Sequence, residues 1–260
     1  MKTTIIKTEY LEIYSKKQPI SLLKHFNKIK EIAIDKNTFG YSVSVSSVYS
    51  SMIEGNPIDL DSYLSYAASG MNTKSKSYKE ITDLFKAYEY AAKKDLNLKN
   101  FLQSHAIMSK TLISDKNYSG KIRDKEVYIF ADGLKVYTGA SKLTVDNEIK
   151  NLFEDIYLLL NKKLTITEVF YYASMLHLVF AKIHPFADGN GRSARLLEKW
   201  FLVSKLGEKA WHIPSEKLYQ TRLKSYYKNI DLGKSYETNN YNLSLPFLLM
   251  LPMSLRIQTK

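Results

Sequence analysis

The residues able to do chemistry crowd into one stretch, His184-Pro185-Phe186-Ala187-Asp188-Gly189-Asn190-Gly191-Arg192-Ser193-Ala194-Arg195. Two glycines around an asparagine let the backbone approach an anion closely, and the N–H groups that open a following helix point at it. Arg192 and Arg195, three apart, can grip phosphate oxygens through bidentate forks. Asp188 is a hard oxygen ligand of the kind magnesium takes alongside substrate phosphates. His184 is a base whose ordinary pKa, near ~6.5, suits proton transfer at neutral pH. Each feature is weak alone; together they describe a phosphate-transfer site.

Such a loop needs rigid elements on both sides. Upstream, Thr165 and Glu168 form a capping box, and Val169, Ala173, Leu176, Phe180 and Ile183 make a stripe widened by Phe170, Met175, Leu178 and Val179. A helix apolar nearly all round belongs in the core, and His177 on it reads as a satisfied core histidine. Downstream, Leu196, Leu197, Trp200, Phe201 and Val203 pack a second helix that stops near Gly207.

The rest reads as mostly helical. Leu22, Leu23, Phe26 and Ile29 recur at helical spacing, with Gly40 interrupting the pattern. From Ser42 to Val45 the alternation suggests a strand, yet Val45, Val48, Tyr49 and Met52 fall on a helix face, and Gly55 stands at a left-handed stop before Pro57. Helix is favoured there. Further helical faces run through residues 59–115, with His105 a packed helix histidine. Tyr219, Leu223, Tyr226 and Tyr227 suggest one more helix, and the apolar tail from Asn239 docks on the body. The good hairpin signal lies between Val127 and Thr138, where two alternating runs flank Asp132-Gly133.

At 260 residues and 45% hydrophobic the chain can bury a substantial core. Without cysteine it has neither disulfides nor thiolate metal sites. Its net charge of +12 raises nucleic acid as a partner, but no helix-turn-helix stands out and a Lys-rich solvated surface accounts for the charge. No apolar run approaches the ~20 residues of a membrane span, and Lys7 and Glu9 break the N-terminal apolar stretch. No membrane partner and a cytoplasmic location are therefore expected.

The 184–195 stretch resembles the signature of the Fic family, His-x-Phe-x-Asp/Glu-Gly-Asn-Gly/Lys-Arg-x-x-Arg, and matches it at each fixed position. Ser50-Ser51-Met52-Ile53-Glu54-Gly55-Asn56 resembles the same family's inhibitory motif, Ser/Thr-x-x-x-Glu-Gly/Asn, here ahead of the signature. The resemblance implies a mainly α fold, a helical bundle with one β-hairpin flap over the active site. It implies catalysis by His184, magnesium on Asp188, and ATP phosphates held by Gly189, Asn190, Gly191, Arg192 and Arg195. Phe186 becomes the structural anchor of the loop, and Glu54 the inhibitory residue paired with Arg195. Arg123, Val127 and Ile129 fit the family's flap approach, whereas Thr138-Gly139-Ala140-Ser141 replaces its proline-rich exit.

The implied organisation is an N-terminal helical region (1–95) carrying the motif at 50–56, a catalytic core (96–207) and a C-terminal helical extension (208–260). The implied function is an autoinhibited protein adenylyltransferase that moves AMP from ATP to a Tyr, Thr or Ser hydroxyl of a protein docked on the 127–138 hairpin. Self-modification is expected once Glu54 is released. The alternative is a hydrolase removing AMP at the same site, and the remote one a non-enzymatic nucleic-acid-binding protein.

Overall fold

The computed structural model describes residues 3–29, 36–70, 74–131 and 133–257, and for residues 36–38 the backbone only. Two short helices, α1 (Leu11–Lys16) and α2 (Leu22–Lys28), precede α3 (Lys36–Ile53), α4 (Leu60–Ser69), α5 (Lys76–Ala92) and α6 (Leu98–Met108). A hairpin of β1 (Tyr128–Ala131) and β2 (Leu134–Thr138) leads to α7 (Val145–Asn161), α8 (Ile166–Ile183) and α9 (Asn190–Leu206). Four shorter helices complete the described chain: α10 (Ser215–Thr221), α11 (Leu223–Ile230), α12 (Leu245–Leu248) and α13 (Met250–Ser254). The two-stranded hairpin is the sheet of the described residues, so the mainly α expectation holds.

α8 is the axis of the bundle. Both halves of the Thr165–Glu168 capping box form, and every residue from Val169 to Phe180 is buried. α9 packs along it, buried from Arg192 to Leu202, and α7, α1 and α12 cover its other sides. The N-terminal segment is tied down by one buried carboxylate: Asp155 of α7 accepts the N–H groups of Thr4 (2.7 Å), Ile5 (2.8 Å) and Ile6 (2.9 Å). From the tail, Phe247, Leu248 and Leu251 sink into the core. Among the described residues no helix is long and apolar enough to cross a membrane.

α3 resolves the strand-or-helix ambiguity of residues 42–52 in favour of helix, and Gly40 lies inside it rather than ending anything. Its last turn tightens. Glu54 N–H bonds the Ser51 carbonyl three residues back (3.0 Å), which leaves the Ser50 carbonyl available, and Gly55 turns left-handed at φ 85°. Two details differ from the sequence reading. The Tyr219–Tyr227 periodicity spans two helices, because Arg222 leaves helical backbone (φ −116°, ψ 37°). α7 carries Val145, Ile149, Leu152, Ile156 and Leu159 on a buried face that was not anticipated.

The hairpin pairs Tyr128 with Thr138 and Ala131 with Leu134, with a bulge between Ile129 and Phe130. Asp132 of the expected turn lies outside the described residues; Gly133 has φ 76°. At its base Thr138 donates its N–H to the Lys234 carbonyl (3.0 Å), so the C-terminal segment covers the end of the β2 edge.

Candidate active site

α8 ends on its base. His184 adopts left-handed backbone (φ 54°, ψ 59°), the one non-glycine residue with positive φ among the described residues. That conformation is costly and persists only where surroundings impose it. Arg123 imposes it here: Nε donates to the His184 carbonyl (2.8 Å), Nη1 to Lys125 (2.6 Å) and Nη2 to Ala140 and Ile183. Its own N–H bonds the Pro185 carbonyl at 2.9 Å. The imidazole Nδ1 faces the Ala181 carbonyl at 3.2 Å, and a carbonyl can only accept. Nδ1 therefore carries the proton and Nε2 presents its lone pair. Burial, reinforced by the charges of Arg123 and Lys182, pushes the ring's pKa down to about 4.

The loop after His184 is closed from inside. The Phe186 ring is fully buried and stacks on His105 at 3.6 Å between centroids. His105 accepts the Gly120 N–H on Nδ1 (3.0 Å) and donates from Nε2 to the Asp188 carbonyl (3.0 Å), so it is neutral; burial pushes its pKa down to about 4. Asn190 accepts the Phe186 N–H (2.8 Å) and donates to the Phe186 carbonyl (2.9 Å). Its side chain is thus committed to holding the loop shut. Gly189 caps α9 at φ 81°, and the first helical bond is made by Ser193 N–H to Gly189. The N–H groups of Asn190, Gly191 and Arg192 consequently lack helical acceptors. Asp188 stays solvent-facing, with Oδ1 accepting the Gly189 N–H (2.6 Å) and Oδ2 available.

Both arginines are held by carboxylates. Arg195, with no exposed surface, donates from Nη2 to Glu54 Oε1 at 2.7 Å, from Nε to Ser50 Oγ (2.8 Å) and from Nη2 to the Ser50 carbonyl (3.0 Å). Burial would raise the Glu54 carboxyl, but Arg195 outweighs it and holds the group below its ordinary pKa. Glu54 also fills the space above the loop: a Cβ on Gly191 would collide with its Oε1. Arg192 Nη2 meets Glu80 Oε2 of α5 at 3.4 Å, while its buried Nε has no partner. The arrangement is a helix N-terminus with two arginines and a base, able to bind a polyphosphate and accept a proton, with a glutamate across its mouth.

Comparison with known proteins agrees with this architecture. Residues 95–202 match the Fic/DOC family. Protein adenylyltransferase Fic of Aedes aegypti is 31% identical over 169 residues, 61% of this chain, and the matched part spans about a third (32%) of that protein. Among solved structures, a Fic family protein from Desulfovibrio desulfuricans superposes with TM-score 0.72 over 98% of this chain and 74% of its own, at 19% identity. A Fic domain containing signaling protein from Bacteroides thetaiotaomicron gives TM-score 0.63 over 95% of this chain and 93% of its own, at 20% identity. The fold and the loop define a helical domain with a hairpin beside a helix terminus whose first N–H groups lack helical acceptors. Over residues 95–202 the chain is similar to the Fic/DOC family, and its fold is that of the solved Fic proteins.

The structure brings His184, Asp188, Gly189, Asn190, Gly191, Arg192, Arg195 and Glu54 to one locus, with Phe186 beneath it. Sequence reasoning missed four residues that organise this locus: Glu80, His105, Tyr226 and Tyr227. The last donates its hydroxyl to the Ile53 carbonyl at 3.0 Å, beside Glu54. Spacing placed His105, Tyr226 and Tyr227 on helices, but only their spatial neighbours reveal a role at this locus.

Proposed function

We propose that this chain is an autoinhibited protein adenylyltransferase. A target Tyr, Thr or Ser hydroxyl attacks the α-phosphate of ATP. The new O–P bond forms as the bond to the β-phosphate bridging oxygen breaks, pyrophosphate leaves, and the hydroxyl proton passes to His184 Nε2. The N–H groups of Asn190, Gly191 and Arg192 bind phosphate oxygens, Arg192 balances leaving-group charge, and Arg195 grips the γ-phosphate. Catalysis is mainly positioning and electrostatic stabilisation.

A magnesium ion fits the donor set. Asp188 is a single solvent-facing carboxylate with one oxygen available, and magnesium typically combines one or two protein carboxylates with substrate phosphates. Bound there, it would neutralise charge on the α- and β-phosphates.

The observation that carries the proposal is the Glu54–Arg195 pair over Gly191. It occupies the guanidinium that would hold the γ-phosphate and places negative charge where the phosphates belong. ATP then binds out of in-line geometry, and a misplacement of about 1 Å can cost ~10²-fold in rate. The same carboxylate, a third exposed, could instead orient a water for removal of AMP. The test is labelled AMP incorporation by wild type, Glu54→Gly and Glu54→Gly/His184→Ala, with release of AMP from a modified target run in parallel. Autoinhibited transfer requires a rise in the second protein and its loss in the third. Release by wild type that vanishes in Glu54→Gly would establish the hydrolase instead.

A further inference from the structure

Behind Arg195 runs a buried hydrogen-bond chain outside the 95–202 family match at its key member. Arg195 Nη1 donates to the Tyr226 hydroxyl at 3.3 Å. Tyr226 meets His177 Nε2 at 3.0 Å, and His177 Nδ1 meets Glu198 Oε2 at 2.8 Å. Tyr219 donates its hydroxyl to the same Glu198 oxygen at 2.8 Å. Arg195, His177, Glu198 and Tyr219 have no exposed surface, and Tyr226 has 2%.

With His177 as a neutral imidazole, the donors sort in one direction. Glu198 accepts, so His177 Nδ1 carries a proton; Arg195 has donors alone, so the Tyr226 oxygen accepts from it. The Tyr226 proton then goes to His177 Nε2. Arginine, phenol, imidazole and carboxylate form a head-to-tail series in which each bond polarises the next. Phe247 closes the cluster edge-on to the His177 ring at 5.0 Å.

We infer that Tyr226, backed by His177 and Glu198, is the positioning residue that aims the Arg195 guanidinium at the nucleotide. Ser50 holds only the Nε and Nη2 edge of the fork; Tyr226 holds Nη1. Once Glu54 withdraws, Ser50 and Tyr226 together keep the guanidinium plane fixed, and one Nη2 hydrogen is freed for phosphate. Without the Tyr226 hydroxyl the fork pivots about Ser50. Buried ion pairs contribute weakly to stability, so the charged chain behind a ligand-binding arginine is accounted for by orientation.

The inference rests on the proposed phosphate role of Arg195, and the experiment separates the two. In full-length Glu54→Gly protein, affinity for ATP with magnesium and for AMP is measured by calorimetry. Tyr226→Phe, which keeps the ring, should weaken ATP about ten-fold, the value of one hydrogen bond to a charged group, and leave AMP unchanged. Glu198→Gln should shift ATP in the same direction by less. Combined with Arg195→Ala, Tyr226→Phe should add nothing, because it acts through that side chain. If Arg195→Ala leaves ATP affinity intact, the phosphate role fails. If Arg195→Ala weakens ATP and Tyr226→Phe does not, or if Tyr226→Phe weakens ATP and AMP alike, the positioning role is overturned.

Discussion

Glu54 Oε1 lies 2.7 Å from Arg195 Nη2 and fills the space that a Cβ on Gly191 would need, so one carboxylate engages an arginine and crowds the turn that opens α9. A methyl at Gly191 must displace the carboxylate end, and displacing it breaks the pair. Gly191→Ala is therefore expected to destabilise the wild type by about 1–2 kcal/mol. In Glu54→Gly it should be neutral or slightly stabilising, since alanine favours helix over glycine by about 1 kcal/mol. Denaturant titration of the four proteins checks the coupling; strict additivity would mean that glutamate and glycine do not meet.

His184→Ala in Glu54→Gly protein should lose transfer by at least about 10²-fold, the usual contribution of a positioned base. ATP affinity and unfolding midpoint should change little, because the ring acts on the incoming hydroxyl. The tautomer adds a pH test. With its pKa pushed down to about 4, His184 is already neutral at pH 6, so the acid limb of kcat/KM should lie below the ordinary histidine value of 6.5. A limb at 6.5 or above would assign the proton acceptor elsewhere.

The same shifts enter stability. His184 and His105 have folded pKa values of about 4 against 6.5, so between those values the unfolded chain binds more protons. Stability should be fully present above pH 6.5 and decline as pH falls through that window, with His212 shifted in the same sense. Glu54 and Glu216, whose pKa values are lowered, lose their contribution only at still lower pH. His105→Gln should flatten the slope between pH 6.5 and 5, measurable by urea denaturation at each pH.

Arg192 carries a second, looser restraint. Glu80 meets it at 3.4 Å and has a 13% exposed side chain, with Lys76 at 3.7 Å on its other oxygen. In Glu54→Gly protein, Glu80→Gln should lower KM for ATP by about two- to five-fold, a gain that shrinks as salt rises. An unchanged KM would remove Glu80 from the nucleotide's surroundings.

Much of this was legible. The capping box at Thr165, the apolar run of α8 and the 184–195 spacing are local signals, and local signals survive in a sequence. α7 was legible too, since its five buried aliphatics stand three or four apart. The one-helix reading of Tyr219 to Tyr227 failed for a different reason, because Arg222 breaks the backbone without glycine or proline. Arg123, Glu80 and Tyr226 belong to neither case. Their roles come from carbonyls and guanidiniums far away in the chain, and spacing cannot encode such partners.

The hairpin tip offers Phe130 and Leu134, 61% and 72% exposed, to solvent. Serine at both positions should cut modification of a protein target several-fold while ATP binding holds, since exposed apolar anchors contribute to docking rather than to this fold. A proline at Thr138 would report on something else, the bond that ties the hairpin base to Lys234. Equal loss of target modification and ATP affinity would place the hairpin tip in the nucleotide pocket.

Tyr226 and Tyr227 are consecutive on α11, about 100° apart around its axis. One reaches inward to Arg195, the other sideways to the Ile53 carbonyl beside Glu54. The two halves of the clasp are thus indexed by a single helical step. Deleting or inserting one residue just ahead of Tyr226 would turn both hydroxyls away together, whereas point substitutions remove them one at a time. Length changes in this short helix should be far less tolerated than its exposed Lys224 and Lys228 would suggest. The helix works as a key whose teeth are cut in residue number.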